Sequence, residues 1–410
     1  MKGFAALMTL LAFALLYLSH NGYQKYLQDI SQGTYYAKDF ASSVVNKVQG
    51  TATVSKAKAA TVASPQEVKA TTTLATTTPE IIITHLKTPK EVKAVYMSSW
   101  AAGAPSIRKK MVDLIDRTEI NAIVIDVKDN TGVITWEGRS KDIVAFVDEL
   151  HKKHIYVIAR VAAFQDPSYV KAHPEEAVHD NTTGGIWHDH KGVPWVDTGS
   201  KHMWEYLAKI SKDAYAKGFD EINLDYIRFP TDGVLSHMVF PVSGEKAKDK
   251  RSVVHAFYTY ISDELHKNNI PLSGDLFGIV LVSKVDIPVL GQDLHDALST
   301  FDYVAPMVYP SHFYKDTAGY ANPAAHPGPI ITFAMKAALA IADETASSTG
   351  QATSTMRAKL RPWYQDFNMG ATYTKELVRA QIDAGGVLGV KSWMLWDSAN
   401  TYTESALKSQ

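Results

Sequence analysis

From Lys93 to Tyr402 the sequence alternates between two kinds of segment, and this constrains the fold more than any other feature. Runs rich in β-branched and aromatic residues lie at 94–100, 122–129, 155–161, 221–229, 271–278, 302–309, 361–367 and 390–396. Each reads as a strand. Between them, 106–118, 141–153, 201–218, 253–268, 291–298, 331–343 and 373–385 read as helices, with apolar residues at helical spacing in the clearest of them. Strands that alternate with helices predict a parallel sheet covered on its outside by helices. Eight such strands predict a (β/α)8 TIM barrel, a fold that occupies about 200 to over 400 residues. The competing architecture, an open doubly wound sheet, would place a glycine-rich phosphate loop after its first strand. Here Ser98, Ser99 and Trp100 follow instead, so a barrel is expected and nucleotide binding loses support.

The chain before this region has a different texture. Residues 3–24 carry no charged side chain, and the apolar heart from Phe4 to Leu18 follows Lys2. This is the pattern of a signal h-region or a short membrane anchor. The run continues through Tyr17, Leu18, Ser19 and His20 without a small-x-small cleavage pattern. An uncleaved anchor with its amino terminus inside is therefore the expectation, with a cleaved signal peptide close behind. Residues 25–92 are expected to be a flexible Ala/Thr/Ser-rich spacer, close to low complexity at 70–80. Ile81, Ile82 and Ile83 are read as a short strand on the flank of the folded region. The expected order is anchor or signal at 1–24, spacer at 25–92, barrel at 93–402 and a tail at 403–410. That places the barrel in the cell envelope facing outside, or secreted.

Composition removes several kinds of chemistry. There is no cysteine, which excludes a disulfide scaffold, a thiolate zinc site and a cysteine nucleophile. With 42 basic and 43 acidic residues, a basic nucleic-acid binder is not expected. No G-x-S-x-G elbow is present for a serine nucleophile. What remains is carboxylate chemistry, and in a TIM barrel it belongs at the carboxyl ends of the strands.

Strand periodicity of two shows which groups point inward there. In 221–229, Ile222 and Leu224 share one face, while Asn223 and Asp225 share the other. In 122–129, Asp126 and Lys128 oppose Ile123, Ile125 and Val127. Arg160 opposes Val157, Ala159 and Val161, and Asp275 with Ser273 opposes Leu272 and Leu276. The last strand ends in Trp396 and Asp397. A purely structural lumen would hold Val, Ile and Leu. A ring of salt bridges such as Asp126–Arg160 or Asp225–Arg228 would account for any one of these charges. Two carboxylates on neighbouring strands beside Arg and Lys favour a site. Paired carboxylates suit glycoside hydrolysis, in which one protonates the leaving oxygen and the other attacks the anomeric carbon or activates water.

Aromatic faces for sugar rings are available from Trp100, Trp136, Trp187, Trp195, Tyr309, Trp363, Trp393 and Trp396, and about half are expected to line the cleft. All eight tryptophans lie between Trp100 and Trp396. His188, Asp189 and His190 offer metal-ligand types in one loop. No partner histidine stands at another strand end, so a polar loop over the cleft is the expectation. His312 is read as a substrate contact.

VIDVKDNTGVITW (124–136), IYVIARVAAFQDP (155–167), WVDTGS (195–200) and GFDEINLDYIRFPTDG (218–233) appear in order along the chain. SGDLFG (273–278), APMVYPSHF (305–313), RPWYQDF (361–367) and WMLWDSANTY (393–402) continue the series. Together they resemble the family of bacterial "putative glycoside hydrolase" domains, TIM barrels distantly related to the α-amylase-like clan. The resemblance spans 93–402 and implies a (β/α)8 barrel acting on glycosidic bonds. It implies Asp225 as nucleophile or base and Asp275 as general acid. The related clan typically has Glu at the latter position, which leaves Asp126 or Asp397 as alternative acids. Asp126, Lys128, Arg160, Arg228, Trp195, Tyr309, His312, Trp396 and Asp397 are the expected substrate-binding residues. No metal ligand and no cofactor is expected. The expected substrate is an envelope or extracellular polysaccharide, the expected membrane contact is the N-terminal helix, and no nucleic-acid partner is expected. Two alternatives are a non-catalytic cell-surface glycan-binding barrel and a metal-dependent hydrolase or deacetylase using His188, Asp189 and His190.

Overall fold

Each β-branched run becomes one strand of a closed parallel barrel in the computed structural model, which describes residues 81–410. The strands are β1 (Lys93–Met97), β2 (Ala122–Lys128), β3 (Tyr156–Ala162) and β4 (Glu221–Asp225), then β5 (Leu272–Phe277), β6 (Tyr303–Met307), β7 (Trp363–Gln365) and β8 (Trp393–Trp396). Neighbours in sequence are neighbours in the barrel, and β8 pairs with β1 to close it. The connecting helices are α1 (Pro105–Arg117), α2 (Ile143–Lys152), α3 (Lys201–Tyr215), α4 (Lys250–His266), α5 (Leu294–Thr300), α6 (Pro327–Thr349) and α7 (Lys375–Val387). Local chemistry sets several starts. The Ser200 hydroxyl accepts from the Met203 N–H at 3.0 Å before α3, and an Asp249 oxygen accepts from the Ser252 N–H at 3.2 Å before α4. Both occupy N-terminal backbone donors that no helical carbonyl can reach.

Strand parity divides the core into two layers. Ile123, Ile125, Val157, Ala159, Ile222 and Leu224 face the helices. Ala94, Tyr96, Val124, Tyr156, Ile158, Ala305, Trp363 and Met394 fill the lumen. Low in the lumen, at the start of β4, Arg361 bonds Glu221 at 2.9 Å and lies 3.6 Å from the Tyr303 ring centroid. The Tyr156 hydroxyl donates to the same glutamate at 3.1 Å. This polar plug leaves the upper lumen for other side chains.

Several details differ from expectation. The strand at 221–229 stops at Asp225 because Tyr226 takes φ +55° and turns the chain. The strand at 94–100 stops at Met97, where the Ser98 hydroxyl accepts from the Ala101 N–H at 3.2 Å and starts a short helix, Ser99–Ala102. Ile81, Ile82 and Ile83 form no strand, since no ladder partner is paired with them among the described residues. The residues that follow still pack on the barrel: the Leu86 N–H donates to Asp220 at 2.7 Å, and Thr88 bonds the Tyr156 hydroxyl at 2.9 Å. After β8 the chain makes only a 3-10 turn, Glu404–Ala406, and then bridges to Thr118 through Ser409. The expected anchor at 1–24 and the spacer up to residue 80 lie outside the described residues. Among the described residues, no helix is long and apolar enough to cross a membrane.

Candidate active site

Arg160 of β3 organises the carboxyl end of the lumen. It donates to Asp126 of β2 at 2.5 Å and, through its other terminal nitrogen, to Asp225 of β4. Its Nε stands 3.8 Å from Asp275 Oδ2 on β5. The bridge between Asp126 and Arg160 thus forms, but the same guanidinium also gathers the other two carboxylates. Burial works against the charge of Arg160, and Asp126 and Asp225 together overcome it and hold its pKa well above the ordinary value. The planar guanidinium spreads its donors over three nitrogens in a fixed fork, whereas a lysine gathers its donors on one atom.

The three carboxylates have distinct surroundings. Asp126 also accepts from the Tyr96 hydroxyl at 2.5 Å. Burial raises its pKa, and Arg160 and Tyr96 act against that rise. Asp225 accepts from Arg160 and, at 2.6 Å, from the Tyr226 N–H. The left-handed backbone of Tyr226 accompanies this contact, and such strain is commonly found at functional sites. Asp275 accepts from Asn223 at 2.9 Å and from the Trp363 indole N–H at 2.8 Å, both at Oδ1. Burial, then the nearby Asp225, pushes the Asp275 carboxyl well above the usual carboxylate range. Asp275 therefore has the environment of a proton-carrying acid, with Oδ2 as the oxygen not already engaged by Asn223 and Trp363. Leu224 pairs with Gly274 across β4 and β5, so Asp225 and Asp275 follow at matching positions. Sharing one guanidinium sets them less than about 10 Å apart, within the range of two-carboxylate glycosidases.

Aromatic residues surround this group. Trp396 stacks on Tyr96 with centroids 3.9 Å apart and meets Trp363 edge-on at 5.6 Å. The Arg160 guanidinium lies 4.9 Å from the Trp396 centroid. Tyr309 is buried near Asp275 and Asp225, and burial followed by these charges raises its pKa strongly. His312 meets Tyr309 and Phe367 edge-on and is exposed at the rim of the site.

Other expected site residues are placed elsewhere. Lys128 is fully buried, pairs with Asp166 at 2.9 Å and donates to the Ala162 carbonyl at 2.5 Å. Arg228 does not pair with Asp225. The turn at Tyr226 breaks the strand parity, and Arg228 instead lies over Phe277 and Trp195 and bonds Asp232 at 3.4 Å. Trp195 is 0% exposed beneath that guanidinium, so it supports the loop and offers no open ring face. Asp397 has the parity opposite to Trp396 and caps its own loop through the N–H groups of Ala399 and Thr401. Of the eight aromatic residues expected to offer ring faces, Trp363, Trp396 and Tyr309 stand around the carboxylates, Trp100 and Trp136 are not buried, and Trp187, Trp195 and Trp393 are buried. Asp189 accepts from the N–H groups of Lys191 and Val193 and from Gln165 and the Trp195 indole, which commits it to shaping its loop. Among the described residues, no group of three or more His, Asp or Glu is arranged around a metal position. Tyr96 and Asn223 were not among the expected site residues, yet both touch the carboxylates. Their lumen parity was the available signal, and their neutral side chains gave it no chemical emphasis.

No curated protein matches the chain. Among solved structures, a hypothetical protein from Ruminiclostridium thermocellum ATCC 27405 is 35% identical over 44% of this chain and 96% of its own, with a TM-score of 0.39. The PgaB (BpsB) glycoside hydrolase domain from Bordetella bronchiseptica is 14% identical over 76% of this chain and 95% of its own, with a TM-score of 0.53. That likeness extends to the barrel fold. A chitinase from Chromobacterium violaceum ATCC 12472 is 15% identical over 77% and 98% of the two chains, with a TM-score of 0.46. Residues 94–402 match the model of one family across the whole barrel, and the chain belongs to that family, described as "Putative glycosyl hydrolase domain".

Proposed function

We propose that the barrel hydrolyses glycosidic bonds of an envelope or extracellular polysaccharide through Asp225 and Asp275. The observation that carries this reading is the pair itself: two carboxylates at matching positions on adjacent strand ends, on one guanidinium, with Asp275 driven towards its protonated form. Protonated Asp275 gives its proton to the leaving glycosidic oxygen as the bond to the anomeric carbon breaks. Asp225, held by Arg160 and the Tyr226 N–H, attacks that carbon or takes a proton from the water that does so. Asp275, now a carboxylate, accepts a proton from water when the cycle is completed through a covalent intermediate. Asp126 keeps Arg160 in place. Trp396 offers a ring and Tyr309 a hydroxyl to the sugar at the cleavage point, and Tyr96 supports Trp396 from behind. The uncharged run at 3–24 and the spacer after it support a barrel held at, or released from, the outer face of a membrane.

The test is a panel of polysaccharides and aryl glycosides assayed with the wild type, Asp225→Asn and Asp275→Asn. Each substitution is expected to lower turnover at least about a thousandfold while the circular dichroism spectrum is retained. Undiminished hydrolysis by either variant removes that residue from the mechanism. Saturable glycan binding without cleavage by the wild type would replace this reading with a glycan-binding barrel.

A further inference from the structure

Trp100 stands apart from the other tryptophans. It is 70% exposed, whereas Trp187, Trp195, Trp204, Trp363 and Trp393 are buried. Its own short helix buries Ser99, Ala101 and Ala102 and turns only the indole outward. The ring is also held. The Arg139 guanidinium lies 4.4 Å from its centroid, and that guanidinium is itself fixed by Asp129 and the Ser99 hydroxyl. Ser99 donates in turn to Asp129 at 3.0 Å. Gly103 completes the arrangement, because a Cβ there would come within 2.3 Å of the Arg139 carbonyl oxygen. The two chain segments can pass this closely only with glycine at that point. One indole face is thus occupied by a fixed cation, and the other remains available.

This ring belongs to the rim of the candidate site. Trp100 lies four residues beyond Tyr96, which limits their Cα atoms to about 14 Å apart. Asn400, after β8, accepts from the Ser98 hydroxyl at 2.9 Å and donates to the Tyr96 carbonyl at 3.3 Å. Asp129, beneath Arg139, directly follows the strand that carries Asp126. The ring and the carboxylates therefore share one hydrogen-bonded set of strand ends.

We propose that Trp100 is a distal sugar-binding platform that stacks the apolar face of one pyranose ring of an extended polysaccharide whose scissile bond lies at Asp225 and Asp275. The proposal rests on the glycosidase reading above and adds that the substrate is a chain of several units. Arg139, Asp129 and Ser99 act as positioning residues for the platform.

The experiment compares wild type, Trp100→Ala and Trp100→Phe on soluble xylan, glycol chitin, galactomannan and dextran, and on the corresponding 4-nitrophenyl glycosides. For the polymer that is cleaved, Trp100→Ala is expected to lower the polymer-to-aryl-glycoside ratio of kcat/KM about 3- to 10-fold, the size of one aromatic stacking contact. The loss should appear in KM, and Trp100→Phe should recover part of it. An unchanged ratio overturns the platform, as does an equal fall on both substrate types. Binding is read separately by affinity electrophoresis in the same polymers with the Asp225→Asn protein. If the wild type cleaves nothing but Trp100→Ala still weakens retention, the platform stands and the glycosidase reading falls. If no polymer retains the protein, the platform falls.

Discussion

At the scale of single residues, one buried carboxylate outside the cleavage group makes a measurable prediction. Asp366 is 5% exposed, and burial, with Asp397 nearby, pushes its pKa up to about 6 against the Thr403 donors. A carboxyl whose folded value lies above the ordinary one, about 4, prefers its neutral form in the folded protein. Its favourable contribution is complete below that ordinary value and is lost as pH rises through about 6, a change on the order of 2–3 kcal/mol. Asp366→Asn removes the titration, and an amide can still accept from the Thr403 N–H while donating to its hydroxyl. Its Tm at pH 7 should rise by a few degrees over wild type, with little gain at pH 4, by scanning calorimetry at both pH values. A lower Tm at pH 7 would show that the Thr403 bonds outweigh the desolvation. Arg160 and Arg228 show what residue type alone leaves open. Both are arginines near strand ends, but only Arg160 lies inside a regular strand, where parity directs it to the lumen. Arg228 follows the turn at Tyr226, where no periodicity applies.

At the scale of elements, the register between β4 and β5 decides the expected stereochemistry. Asn223 pairs with Ser273 and Leu224 with Gly274, so the next residues, Asp225 and Asp275, stand on strands about 4.8 Å apart. Two carboxyl groups that share one guanidinium from adjacent strands suit the roughly 5–5.5 Å carboxyl separation of retaining glycosidases better than the roughly 6.5–9.5 Å of inverting ones. Hydrolysis followed by proton NMR should show the first-formed sugar with the anomeric configuration of the substrate. An inverted first product would mean that Asp225 acts as a base on a water molecule that attacks the anomeric carbon, not as the nucleophile. Much of this was legible in the sequence. The alternation in EINLD and LSGDL places Asn223, Asp225, Ser273 and Asp275 inward without any knowledge of neighbours. The pairing of one strand with the next was not legible, because register depends on how both strands sit in the closed barrel.

At the scale of the molecule, chain beyond the residues that carry the family resemblance packs back onto the barrel. The Thr403 N–H donates to Asp366 at 2.8 Å, the Glu119 N–H to the Lys408 carbonyl at 2.8 Å, and Arg379 to the Ala406 carbonyl at 3.1 Å. A protein ending at residue 402 keeps every candidate catalytic group and should still lose about 3 kcal/mol, at roughly 1 kcal/mol for each bond. The urea midpoint, compared with that of the full chain, checks this; an unchanged midpoint would make the tail dispensable. By itself the sequence determined the barrel, the order of its elements and the inward parity of Asp126, Arg160, Asp225 and Asp275. Those properties follow from periodicity and strand count, which are local. Only the tertiary structure decided that Arg160 joins three carboxylates, that Trp195 and Lys128 are sealed inside, and that Trp100 faces outward on a fixed cation. Those outcomes depend on which distant segments meet at the strand ends, and no local pattern encodes such a meeting.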